Sequence, residues 1–101
     1  MSISGITSTA LSGMRAQTAR VGAIASNIAN SSTLGYAKLS TSFTSVEPGG
    51  VQASVNPTDS DVDPATELTD LIEAEQSYKA NAVVFETGAG MWEMLMSIKR
   101  D

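Results

Sequence analysis

The chain contains no cysteine and no histidine. Their absence removes disulfides, thiolate nucleophiles, imidazole acid–base chemistry and the common zinc ligand sets. Only five aromatic side chains are available to anchor a core, at a length where a self-sufficient core is already marginal. No apolar run approaches the roughly 20 residues needed to span a membrane. The opening stretch MSISGITSTALSGM has neither a basic residue nor a continuous apolar segment. It does not read as a cleaved secretory signal. The six basic residues form no patch or stripe, which argues against nucleic acid as a partner. What remains is carboxylates, hydroxyls and amides, and the expectation is a protein that is not an enzyme.

Acidic residues are also missing, but only from one half. Residues 1–46 contain none and carry +3 through Arg15, Arg20 and Lys38, whereas residues 47–101 carry eleven acids and a net −8. The N-terminal half is therefore expected to pack against an acidic segment, in the same chain or in a neighbour. Asp59, Asp61 and Asp63 have a spacing that brushes against a calcium loop. The glycine and distal glutamate of such a loop are out of register. Negative charge at a helix start explains these acids better, so no metal or other cofactor is expected.

The residues present arrange themselves as two long helices around a small strand region. Leu11, Met14, Thr18, Val21, Ala25 and Ile28 recur at alternating spacings of 3 and 4, which predicts a helix over about 4–30 with an apolar seam. Ile3, Ile6 and Ile24 widen it, and Ser2 or Ser4 can cap its start. Leu68, Leu71, Glu75, Tyr78, Ala82, Phe85, Ala89, Trp92 and Met96 repeat the pattern, predicting a second helix over about 64–99. Asp63 suits its N-cap and Pro64 its first turn, while Lys99 and Arg100 suit its C-terminus. Gly88 and Gly90 mark a weak point or a close approach. Leu39, Thr41 and Phe43, then Val51, Ala53 and Val55, alternate around EPGG. That pattern predicts a β-hairpin over about 37–56. The expected fold is mainly α, an antiparallel coiled-coil hairpin with a small β-hairpin between its helices. Residues 1–35 form the first helix and corner, 36–62 the hairpin and linker, and 63–101 the second helix, with 1–35 and 63–101 making one coiled-coil domain. Near the C-terminus, Met91, Trp92, Met94, Leu95 and Met96 form an apolar cluster suited to packing between subunits.

Two stretches carry a family likeness. ALSGMRAQTARVGAIASNIANSSTLGYAK, residues 10–38, resembles the N-terminal signature of bacterial flagellar axial proteins, the rod–hook group. The matching residues are Asn27, Ile28, Ala29, Asn30, Thr33, Gly35 and Tyr36; Leu34 stands where the family often has proline. The segment from Ser60 to Arg100 resembles the family's C-terminal helix through Val62, Asp63, Glu67, Leu68, Leu71, Ile72, Ala74, Tyr78, Ala80, Asn81, Ala82, Thr87, Met91, Leu95 and Ile98. The resemblance implies terminal helices that pair and pack, subunit by subunit, into the tube of the flagellar axis. It implies disorder of these regions in the free subunit, and passage through the flagellar type III export apparatus rather than by a cleaved signal peptide. The partners implied are copies of the chain and other rod and hook proteins, in homo- or hetero-oligomers without direct membrane insertion, and the location is the periplasmic rod of the basal body. With only a short hairpin between the helices, the chain looks most like a short proximal rod protein. The packing residues expected on the second helix are Leu68, Leu71, Ile72, Tyr78, Asn81, Phe85, Met91, Trp92, Leu95 and Met96. The alternative is a small soluble helical adaptor or regulatory oligomer that reuses this scaffold outside the rod.

Overall fold

Ser2 starts the first helix: its Oγ accepts the Gly5 N–H at 2.9 Å, one of the donors that a helix start leaves without an internal partner. In a computed structural model that describes residues 2–100, with side chains through residue 98, helix α1 spans Ile3–Ala29. Asn30 caps its end, with the backbone N–H and the side-chain amide both reaching the Ser26 carbonyl, at 3.0 and 2.9 Å. The chain then turns through Gly35, whose φ of +76° suits a residue without a Cβ.

Strands β1 (Leu39–Ser45) and β2 (Val51–Pro57) form an antiparallel pair running from Leu39 opposite Pro57 to Ser45 opposite Val51. One face carries Leu39, Thr41, Phe43, Val51, Ala53 and Val55; the other is entirely Ser, Thr, Gln and Asn. A two-stranded hairpin is marginal alone, and this one lies along α1. The Val51 N–H donates to Ser12 Oγ at 3.1 Å, and Gly50, at φ +124°, passes so close to Ser12 that a Cβ would stand 2.7 Å from its hydroxyl. Helix α2 then runs over Pro64–Arg100, 37 residues and so roughly 55 Å. Asp63 caps it through the Ala65 N–H at 3.3 Å and the Thr66 hydroxyl at 2.9 Å. The charges expected of Lys99 and Arg100 at its far end fall outside the described side chains.

The helices are antiparallel, and their register is fixed by four contacts. Ile6 and Thr7 meet Gly88, Gly13 meets Asn81, Arg20 reaches Asp70 and Glu73, and Asn27 meets Glu67. The facing positions are therefore 6, 13 and 27 on α1 and 88, 81 and 67 on α2, spacings of seven and fourteen that also set 20 opposite 74.

This seam differs from the one that the apolar spacing predicts. The buried residues of α1 are Ala10, Gly13, Ala16, Ala23, Ile24 and Asn27, while Thr18 and Ala25 are exposed and Leu11, Met14, Val21 and Ile28 are only half-buried. On α2, Glu67, Ala74 and Gly88 are buried, each one residue before a predicted seam position. One residue rotates a helix by about 100°. The cause is size: glycine, alanine and short polar side chains let the backbones approach where bulky ones would hold them apart. Gly88 illustrates this, since a Cβ there would stand 2.5 Å from the Thr7 methyl. A weak point or a close approach was expected at Gly88 and Gly90; a close approach occurs at Gly88, whereas Gly90 faces open space.

Candidate functional site

The corner is held by one amide. Asn27 is 2% exposed and uses its whole hydrogen-bonding capacity. Its Nδ2 donates to the Leu39 carbonyl at 2.9 Å and to Glu67 Oε1 at 3.0 Å; its Oδ1 accepts the Leu39 N–H at 2.8 Å and the Tyr36 hydroxyl at 2.9 Å. A side chain on α1 thus fixes the first residue of β1, the first turn of α2 and the aromatic of the connecting loop. Ser26 Oγ lies 2.9 Å from the Tyr36 hydroxyl and completes the chain of donors. Thr33 binds Asn30 twice, backbone to backbone at 3.0 Å and through its hydroxyl at 3.2 Å, which sets the loop before Gly35.

Glu67, 1% exposed, is the buried charge of this network. Lys38 Nζ stands 3.5 Å from the same Oε1 that Asn27 binds. Lys38 is in turn held by Thr58, whose N–H and hydroxyl both donate to its carbonyl at 2.8 Å. Arg20, with its side chain 15% exposed, lies 3.2 Å from Glu73 and 3.8 Å from Asp70. The complementary charges of the two halves meet within one chain here.

Of the predicted corner residues, Asn27, Asn30, Thr33, Gly35 and Tyr36 come together in this network. Ile28 is half-buried on the α1 flank and Ala29 is exposed. On α2 the predicted packing residues divide. Asn81 faces Gly13, and Leu71 and Phe85 are half-buried beside the seam. Leu68, Ile72, Tyr78, Met91, Trp92, Leu95 and Met96 are exposed, between 43% and 61%. Because the helices are antiparallel, a one-residue advance turns both bulky stripes toward the same side of the pair. A groove of about 380 Å³ opens on that side, lined by Ile3, Ser4 and Thr7 from α1 and by Phe85, Ala89, Trp92 and Glu93 from α2.

Sequence reasoning missed Glu67 and Lys38 as members of the corner, Glu67 entering only as one of the residues that carry the family likeness. A signal was present: the strict heptad Glu67, Ala74, Asn81, Gly88 of small and polar residues mirrors Asn27, Arg20, Gly13, Ile6.

A helix pair with a polar corner, a seam of small residues and bulky apolar stripes open on one side defines a structural part without an enclosed reaction site among the described residues. A model of flagella basal body rod proteins matches residues 8–36, and one of the C-terminal region of flagellar basal body rod FlgEFG proteins matches residues 58–98. Both terminal regions of the chain thus match models of the rod–hook group of flagellar proteins. It is 50% identical over 42 residues to the flagellar hook protein FlgE of Brucella suis biovar 1 (strain 1330), covering 42% of this chain and 11% of that protein. The figures are the same for FlgE of Brucella abortus biovar 1 (strain 9-941). For FlgE of Rhizobium meliloti (strain 1021) the identity is 49% over 41 residues, covering 41% of this chain and 10% of the relative. The chain spans about a tenth of the length of these curated relatives.

Proposed function

We propose that the protein is a structural subunit of the flagellar basal-body rod. On this reading it passes the flagellar type III export apparatus and then assembles through its two helices into a helical tube, with copies of itself and with other axial proteins. The observation that carries the rod position is internal to the chain. Between the two matched regions, residues 37–57 supply only a two-stranded hairpin folded along α1. Nothing in that interval projects as a separate outer domain. The corner residues Asn27, Asn30, Thr33, Gly35 and Tyr36 supply a rigid exit from helix to hairpin, and Leu68, Ile72, Tyr78, Met91, Trp92, Leu95 and Met96 supply contact area for neighbours. Deleting residues 91–101 tests the reading. The truncated chain is expected to accumulate in cells and to be absent from purified basal bodies. Incorporation of the truncation at the level of the intact chain would overturn it.

A further inference from the structure

We infer that the outer edge of β1 is a docking site for an extended segment of another protein that carries lysine or arginine, which joins the hairpin as a third strand. The inference goes beyond the rod reading and does not depend on it.

The ladder itself shows which backbone groups are free. At its two ends the Thr58 N–H donates to the Lys38 carbonyl at 2.8 Å and the Val46 N–H to the Gly50 carbonyl at 3.2 Å. In an antiparallel pair such bonded positions alternate with positions whose N–H and C=O point away from the partner strand. The register therefore turns the backbone groups of Leu39, Thr41, Phe43 and Ser45 toward the outer edge of β1. Asn27 fills the first of these places. Its Oδ1 accepts the Leu39 N–H at 2.8 Å and its Nδ2 donates to the Leu39 carbonyl at 2.9 Å, the pair of bonds that one residue of an adjoining strand would make. Among the described residues, no hydrogen bond reaches the outward groups of Thr41, Phe43 or Ser45.

There is room for a strand beside them. Among the described residues no α-carbon of α2 lies within 8 Å of one in β1, whereas an added strand sits about 4.8 Å from its neighbour. A groove of about 250 Å³ occupies this gap, with Ala23 and Ile24 of α1 behind it and Asp70 and Glu73 of α2 along it. Edge strands are commonly blunted by charge or proline, and β1, LSTSFTS, has neither. A third strand also brings a hairpin toward the size at which sheets hold by themselves.

Charge selects both the occupant and the edge. Arg20 is shared between Asp70 and Glu73, and Lys38 answers Glu67, so three carboxylates face two cations and the groove keeps one negative charge. The Glu73 side chain is 66% exposed and free to take a cation from outside. The other edge of the hairpin differs. Its Val51 N–H is taken by Ser12, Pro57 has no N–H to offer, and Arg15 lies beside Val51 and Ala53. A cationic strand is thus drawn to β1 and repelled from β2.

The test titrates the nitrogen-15-labelled full-length chain with a capped pentapeptide, threonine-lysine-threonine-lysine-threonine, at low salt. The amide resonances of Thr41, Phe43 and Ser45 are expected to shift and to gain hydrogen-exchange protection, with Ala53 and Val55 unchanged. The same peptide with glutamate in place of lysine should bind about tenfold more weakly or worse. A fully N-methylated lysine peptide, which has no N–H to give, should not bind. The double variant Asp70→Asn, Glu73→Gln should lose most of the preference for lysine while keeping its helical circular dichroism. Shifts confined to Ala53 and Val55, equal binding of the lysine and glutamate peptides, undiminished binding of the N-methylated peptide, or no response at millimolar peptide would each overturn the inference. So would protection of Thr41, Phe43 and Ser45 that grows with protein concentration in the absence of peptide, because the edge would then belong to a second copy.

Discussion

Asn27 is the residue on which the three elements converge, and its chemistry explains why no other side chain suits the position. It offers two donors and two acceptors in one plane, and the Leu39 backbone, the Tyr36 hydroxyl and the Glu67 carboxylate take all four. Alanine there would leave the Leu39 N–H and a buried carboxylate short of a partner, with Lys38 at 3.5 Å as the remaining counter-charge. Leaving buried polar groups unpaired is expected to cost about 2–4 kcal/mol. Urea unfolding of Asn27→Ala should show a loss in that range, with the Leu39 amide losing hydrogen-exchange protection. Asn27→Asp keeps the shape but replaces the donor 3.0 Å from Glu67 Oε1 with a second carboxylate oxygen. It should be no more stable than the alanine variant at neutral pH, although only one atom type has changed. A stability equal to the parent chain in either variant would show that the corner does not hold the fold together.

At the scale of the elements, the helices and the hairpin were legible in the sequence, and the rotation of the helices was not. Apolar periodicity and capping residues located α1 and α2 to within a residue or so at their ends, and alternation located the hairpin to within two. Periodicity identifies an apolar stripe without saying what covers it. Here the bulky stripe was taken as the intrachain seam, while the helices meet along Gly13, Ala74, Asn81 and Gly88 beside it. Size overrode hydrophobicity, and Asn27 and Glu67 stood in two separate stretches of family likeness with nothing in the sequence to join them as a buried pair. The corner motif itself was legible as a resemblance, but its bonding to Leu39 and Glu67 depends on contacts 12 and 40 residues away. The glycines test this account of the seam. Gly90→Ala meets no neighbour within 4 Å and should stabilise α2 by up to about 1 kcal/mol through helix propensity. Gly88→Ala carries the same propensity gain but drives a methyl to 2.5 Å from Thr7 Cγ2. Thr7 has little room to yield, since its hydroxyl is held at 3.0 Å to the Ser4 carbonyl and 3.2 Å to that of Ile3. Thermal unfolding should rank Gly90→Ala above the parent and Gly88→Ala below it, and Thr7→Ser should restore part of the loss.

For the whole molecule, the deciding quantity is how much apolar surface one chain can cover. The fold is a long body, 65 Å by 24 Å by 14 Å, and such a shape has a large surface for its volume. Among the described residues, the fully buried hydrophobic ones are four alanines and one isoleucine. Burying an alanine contributes little, whereas each large aliphatic or aromatic side chain fully buried contributes about 1.5–3 kcal/mol. Ordering each residue costs a comparable 1–2 kcal/mol in backbone entropy. On the self-assembly reading proposed above, a chain with this inventory gains much of its stability from the surfaces it shares, and α2 illustrates the point. Its register with α1 ends near Met91, so the last turns, with Met94, Leu95, Met96 and Ile98 between 45% and 70% exposed, extend past the first residue of α1. Surface shared between copies makes stability a function of concentration, because association draws the folding equilibrium toward the assembled form. The thermal midpoint, followed by circular dichroism at 222 nm, should therefore rise steadily across a hundredfold range of protein concentration. Helical signal in the dilute samples should be lost first from α2 beyond Met91, where hydrogen exchange would find the least protected amides. A midpoint that stays fixed over that range, with Leu95 and Ile98 protected in the dilute chain, would show that a single copy covers its own surface.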